Sequence, residues 1–289
     1  MSSAEWGADS EYGRLHDVLL CRPDHYRWLP TSAISRATIA TGREFDREVA
    51  ARQHAEMVSA YEGAGVRCHF LDPDPHLAYQ AFTRDSSAIT AGGVVITQLS
   101  QWWRRGEYAE AIRFFQGAGI PIRGMITAAS LEGGDVMIVE PGCMVIGDGE
   151  ERTQSAAARQ LADWIEADGW EVRIEPIPSQ FVHIDVLMAV LAPKLAAVCV
   201  AAASGGLVSW LRGKGFEIVE VPLAEVFELG VNAISLGDDR VLSSSQATTL
   251  NERLRGLGLQ VLDPDLDMFT LGGGGAHCLA QALRRERIG

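Results

Sequence analysis

Gly63-Ala64-Gly65-Val66-Arg67-Cys68 reads as the end of a helix followed at once by a strand. A glycine just past a helix supplies the left-handed residue that stops it, and the residues after it begin an apolar alternation of strand periodicity. The same junction returns as Gly117-Ala118-Gly119-Ile120-Pro121-Ile122, Asp168-Gly169-Trp170-Glu171-Val172, Gly213-Lys214-Gly215-Phe216-Glu217-Ile218 and Gly256-Leu257-Gly258-Leu259-Gln260-Val261. The glycines that precede the strands fall at 65, 119, 169, 215 and 258, in steps of 43 to 54 residues. A fixed period of this length marks a repeated supersecondary unit.

Outward from each junction the pattern is also regular. Helix-like stretches precede the glycines over 44–61, 108–115, 154–167, 207–212 and 246–254, with Ala158, Leu161, Ala162 and Ile165 at three- and four-residue steps. Short apolar runs face each other across turn signals: 87–90 and 94–97 around Gly92-Gly93, 135–139 and 144–146 around Pro141-Gly142, 232–236 and 240–242 around Gly237-Asp238. The unit is therefore strand, hairpin, helix, of ββαβ type, five times. Such units have no independent core, and closing them in a ring removes both open ends. The expectation is an α/β fold, a five-fold pseudosymmetric α/β propeller built as one domain over 1–289. A doubly wound parallel sheet is disfavoured, because a hairpin would have to be added to every βα step.

In a ring, equivalent loops converge on the axis. The loops after the junction strands hold Asp85 in Phe82-Thr83-Arg84-Asp85, Glu132 in Leu131-Glu132-Gly133-Gly134-Asp135, His183 in His183-Ile184-Asp185, Asn232 in Val231-Asn232, and Cys278 in Gly275-Ala276-His277-Cys278. These five positions are separated by 47, 51, 49 and 46 residues. Cys278 ends a run of four glycines, Gly272 to Gly275, that lets backbone approach a ligand closely. Neighbouring backbone N–H groups are expected to lower its pKa, making it the nucleophile. His183 is the candidate acid/base. Asp85 and Asp185 are candidates to grip the edges of a planar guanidinium, which offers five donors in a fixed fork. Asn232 and His277 are expected to support the site, and Asp135 to bond backbone amides or Arg84. The Pro-bounded loop around Trp28, Tyr26-Arg27-Trp28-Leu29-Pro30, is expected to act as a lid.

Composition excludes several classes. The net charge of −13 argues against nucleic acid or anionic membrane and favours a small cation. Five scattered cysteines, without CxxC spacing, indicate neither a disulfide framework nor a zinc ribbon, and fit a reducing, cytoplasmic compartment. Residues 1–12 carry Glu5, Asp9 and Glu11 and no apolar core, so no secretory leader is expected. The longest apolar tract, 186–211, is broken by Pro193-Lys194 and Gly205-Gly206 and reads as two buried strands and a helix start.

The ordered set FTRD, EGGD, HID and GGGxHC resembles the guanidine-modifying, or pentein, superfamily, which includes arginine deiminase, agmatine deiminase, dimethylarginine dimethylaminohydrolase and the amidinotransferases. The resemblance covers almost the whole chain and implies a five-fold α/β propeller. It further implies that Cys278 attacks a guanidino carbon, that His183 protonates the leaving nitrogen and then activates water, and that Glu132 orients His183. Asp85 and Asp185 would hold the guanidinium, and Arg104 and Arg152 would bind the carboxylate of an amino-acid tail. The implied reaction is hydrolysis of arginine or an Nω-methylarginine-like compound to a ureido product, or, alternatively, amidino transfer to an amine. A non-catalytic binding protein of the same fold is the reading from another class. No cofactor and no metal are expected, and zinc is expected to inhibit. The implied partner is a small cationic guanidino substrate, with a homo-oligomer of the chain left open. One departure concerns the tail: six residues before Asp85, where arginine-using members carry Asn or Asp, this chain has Tyr79.

Overall fold

At all five junctions the glycine is left-handed: Gly65, Gly119, Gly169, Gly215 and Gly258 have φ between +69° and +89°. This backbone region costs an L-residue about 1–2 kcal/mol, which is why glycine recurs there. The computed structural model describes residues 6–289; residues 1–5, part of the stretch in which no leader is expected, lie outside the described residues.

Each glycine closes a crossover helix and opens the last strand of a three-stranded sheet. The helices are α2 (Arg47–Gly63), α3 (Glu107–Ala118), α4 (Ser155–Glu166), α5 (Gly205–Gly213) and α7 (Thr248–Gly256); α1 (Ala33–Ala40) and the single turns α6 (Leu223–Val226) and α8 (Asp267–Thr270) lie between units. Four sheets are an antiparallel hairpin with a parallel third strand: β3–β4–β5 (Ser87–Thr90, Gly93–Ile96, Ile122–Met125), β6–β7–β8 (Val136–Glu140, Cys143–Asp148, Glu171–Pro176), β9–β10–β11 (Met188–Ala192, Leu195–Val198, Glu217–Glu220) and β12–β13–β14 (Ile234–Gly237, Arg240–Leu242, Gln260–Leu262). The repeat is thus phased as hairpin, helix, strand. The apolar tract at 186–211 becomes β9, β10 and the start of α5, as expected.

The fifth sheet is assembled from both ends of the chain. β1 (Leu15–Cys21) runs parallel to β2 (Arg67–Leu71) and antiparallel to β15 (Gln281–Arg285), with Leu19 opposite Gln281. Sequence reading missed β15 because Gln281-Ala-Leu-Arg-Arg lacks an apolar alternation. Its two arginines find distant partners instead: Arg284 Nε donates to Asp17 at 2.6 Å and Arg285 Nη1 to the Gly13 carbonyl at 2.8 Å.

Successive sheets touch. β15 packs beside β3, β12 beside both β9 and β1, and the 3₁₀ turn Thr83–Ser86 meets the turn Gly133–Asp135, which meets the turn Ile184–Val186. The helices cover the sheets with apolar stripes. In α4 the expected Ala158, Leu161, Ala162 and Ile165 are all buried, against β7 and β8; each large side chain in such a stripe contributes about 1.5–3 kcal/mol. Helix α1 was not expected. Its start is a reciprocal cap, with Ser32 Oγ accepting from Ser35 N at 3.1 Å and Ser35 Oγ from Ser32 N at 3.0 Å.

The structure corrects the reading of the Tyr26–Pro30 loop as a lid. Tyr26 and Trp28 are buried among Phe45, Tyr79, Phe82 and Phe269, and Trp28 Nε1 donates to the Met268 carbonyl at 2.6 Å. Aromatic rings packed this way anchor the loop to the core.

The junction geometry makes a stability prediction. Gly169→Ala should lower the unfolding free energy by about 1 kcal/mol, whereas Gly63→Ala, at a helical position with open space around it, should leave it unchanged or raise it. Urea titration of both variants checks the contrast.

Candidate active site

The residues that precede the first strand of each hairpin meet at one place. Asp85 lies in the turn before β3, Glu132 just before the turn that leads into β6, His183 just before the turn leading to β9, Asn232 before β12 and Cys278 before β15. Cys278, His183 and Asp85 line one cavity together with Arg104, Arg152, Thr31, Ser32, Tyr79, Phe82 and Trp103, whereas Asp185 is not among its lining residues.

His183 is fixed from below. Its Nε2 lies 2.8 Å from Glu132 Oε2, while its Nδ1 has no hydrogen-bond partner and stands 3.6 Å from Asp85 Oδ1. The imidazole fits because the facing residue is Gly134: a Cβ there would lie 2.5 Å from Nδ1. Burial by itself would lower the His183 pKa, but Asp85, Asp135 and Glu132 outweigh it and push it up to about 10. The ring is therefore protonated at neutral pH. For Glu132, burial alone would raise the pKa; Arg152 and His183 outweigh it and hold the carboxyl low, at about 2. Its other oxygen accepts the Ser100 N–H at 3.0 Å.

Cys278 is positioned by Asn232, whose Oδ1 accepts the backbone N–H groups of both His277 and Cys278 at 3.1 Å. Asn232 Nδ2 donates to the Asp185 carbonyl at 3.1 Å. The Sγ atom is 3.5 Å from Asp185 Oδ2, which also lies 2.8 Å from His277 Nδ1. Asp185 Oδ1 is buried without a partner. Against expectation, the thiol pKa is raised well above its ordinary value: burial pushes it up first, then the charges of Asp185 and Asp85, and the backbone at Gly275 and the Asn232 side chain offset only part of this. Burial and these charges favour the neutral thiol.

The two arginines differ. Arg152 Nη2 donates to the Thr31 carbonyl at 3.0 Å, its Nη1 is 3.5 Å from Glu132 Oε2, and its buried Nε has no acceptor. Arg104 is engaged on every edge: Nε and Nη2 bind Glu107 at 2.9 and 2.8 Å, and Nη1 binds Asp85 at 2.8 Å. Asp135 Oδ1 accepts the Ile184 N–H at 2.8 Å, supporting the turn after His183, whereas Arg84 turns away to Glu11 and the Gly133 carbonyl. Sequence reasoning missed Glu107 and Glu11. Glu107, three residues after Arg104, was legible as an i,i+3 pair; Glu11, 3.9 Å from His277 Nε2, had no local signal.

Asp85, Glu132 and His183 each bring an atom within 4.8 Å of the others, a spacing that a metal ion would accept. The guanidinium groups of Arg152 and Arg104 stand 3.5 and 4.0 Å from Glu132 Oε2, however, so a divalent cation would face two fixed positive charges. The arrangement suits a planar monocation beside carboxylates.

With this geometry, the comparisons place the chain in the guanidine-modifying pentein superfamily. Within it, the chain belongs to the family described as N,N dimethylarginine dimethylhydrolase, eukaryotic, whose model matches residues 30–285. It is 28% identical over 283 residues to an uncharacterized protein, YkgA, of Bacillus subtilis, covering 96% of this chain and 94% of that one. It is 25% identical over 264 residues to an arginine deiminase of Listeria welshimeri, covering 76% of this chain and 64% of that one. Among solved structures it is similar to dimethylarginine dimethylaminohydrolase of Pseudomonas aeruginosa in complex with citrulline, with a TM-score of 0.77, 23% identity and coverage of 92% and 98%. The N-terminal domain of cyanobacterial ArgZ, an arginine dihydrolase, gives a TM-score of 0.80 at 20% identity, covering 94% and 98%. Among the described residues no helix is long and apolar enough to cross a membrane.

The raised thiol predicts how Cys278 reacts. Its alkylation by iodoacetamide should accelerate only as pH climbs past the ordinary thiol range, and Asp185→Asn, by removing the charge beside Sγ, should move that rise to lower pH. Pseudo-first-order inactivation rates between pH 6 and about 10 measure this.

Proposed function

We propose that this protein hydrolyses a C–N bond of a small guanidino compound through a covalent intermediate on Cys278. The observation that carries the reading is the meeting of Cys278, His183 and Asp85 at one cavity with Glu132 directly behind the imidazole. A guanidinium entering beside Asp85 offsets part of the field that keeps the thiol neutral; the thiol proton passes to solvent, and the thiolate forms where its target carbon is held, with Asp185, which does not line the cavity, acting from behind Sγ. Sulfur attacks that carbon, and His183, already protonated, gives its proton to the departing nitrogen as the C–N bond breaks. Ammonia or an alkylamine leaves, and a thiouronium remains. The neutral imidazole then takes a proton from water as its oxygen adds to the same carbon. The C–S bond breaks, and a ureido product and free thiolate are released. Glu132 keeps the imidazole oriented and charged.

We further propose that the five sheets close into a ring around this site and that 1–289 acts as one domain. The succession of sheet contacts and the completion of the first sheet by β15 support it. The net charge of −13 fits a cationic substrate, and five free cysteines fit a reducing cytoplasm.

A ureido-group assay over a panel of guanidines should give product with the native protein, and Cys278→Ser should lower kcat at least about 10³-fold. A product carrying the amidino group on added glycine or lysine would instead identify a transferase. The pH profile follows from signs: the rate rises as the thiol ionises and falls as His183 loses its proton near pH 10. In Glu132→Gln the falling limb should move to lower pH and kcat should drop about 10²-fold or more.

A further inference from the structure

The cavity that Cys278 and His183 line also carries groups that suit an anion and not a second cation. Two buried donors on its wall, Arg152 Nε and Trp103 Nε1, have no acceptor. Buried N–H groups are almost always paired, and two unpaired donors among the residues lining one cavity leave room for a ligand acceptor. Arg104 cannot be that receptor, because Glu107 and Asp85 occupy its whole fork. The acceptors an ammonium group would need already have a donor beside them. The Tyr79 hydroxyl lies 3.2 Å from the Leu29 carbonyl and 3.5 Å from that of Gly272, and the Thr31 carbonyl receives Arg152. Ser32 Oγ is tied into the cap of α1. Asp85 is the one carboxylate lining the cavity among the described residues, and it stands beside His183 at the reacting end.

We propose that the compound this site accepts is an ω-guanidino carboxylate without an α-ammonium group, its carboxylate received by Arg152 and the Trp103 indole N–H, and that Tyr79 excludes the ammonium. This rests on the hydrolase reading above and names its substrate class. An ammonium brought to this wall would lose water and find Tyr79 already bonded to the carbonyls it needs. A carboxylate would satisfy both orphaned donors, with a charge-assisted bond to the arginine. The specificity lies in the tail, apart from the reacting atoms.

Four guanidines that share one reacting group test it: 5-guanidinopentanoate, arginine, agmatine and pentylguanidine. Arginine differs from the first only by its α-ammonium, and pentylguanidine lacks both charges. With the native protein, kcat/KM for 5-guanidinopentanoate should exceed that for arginine and for pentylguanidine at least about tenfold, with agmatine lowest. In Arg152→Gln the ratio of 5-guanidinopentanoate to pentylguanidine should fall towards one, a ratio from which any general loss of turnover cancels. Tyr79→Asn, by restoring an acceptor, should move the preference towards arginine; the native panel alone decides the matter if that variant does not fold. Arginine turned over as well as or better than 5-guanidinopentanoate overturns this inference and leaves the hydrolase reading standing. Turnover of none of the four overturns both.

Discussion

Glu132 and His183 lie 2.8 Å apart in a place almost wholly removed from water, and the remainder of the site is arranged around what that contact demands. A buried carboxylate is costly unless matched, and this one is matched by the imidazole, by Arg152 and at longer range by Arg104. The imidazole in turn holds a proton only because Asp85 and Asp135 add to the field. Charge is therefore balanced as a group. Several atoms of the group still lack partners, among them His183 Nδ1, Asp185 Oδ1, Asp135 Oδ2 and Arg152 Nε.

Cys278 belongs to a second, linked network. Asp185 takes His277 on the oxygen that faces the sulfur, and Glu11 and Arg84 stand behind His277. The negative side of this network suppresses the thiolate, while Asn232 fixes the backbone on which the sulfur is carried. A resting thiol resists oxidation and stray electrophiles, because the thiolate is the reactive form. Selectivity and protection come from the same charge.

Much of this was legible in the chain itself. The five junction glycines revealed the repeat, since a left-handed residue between helix and strand has a strong local signature. The even spacing of Asp85, Glu132, His183, Asn232 and Cys278 brought the site into view before any geometry, because equivalent loops of a repeat share one end. Features built from distant polar partners stayed hidden. β15 is a polar strand whose arginines reach Asp17 and Gly13, Glu11 reaches His277 from the opposite end of the sequence, and Tyr26 and Trp28 look like a surface loop until their aromatic neighbours are assembled. The thiol's pKa was misjudged for a related reason: the nearby N–H groups are local and visible, whereas burial and the Asp185 charge are not.

The pairing of β1 with β15 bears on how the molecule comes into being. While the chain is still emerging from the ribosome, the first sheet waits with a bare edge, and Cys278, only three residues ahead of β15, has not yet reached its partners. A contact spanning nearly the entire length is slow to form. A polypeptide stopped short of β15 leaves β1 without its antiparallel partner and Cys278 without the strand that follows it.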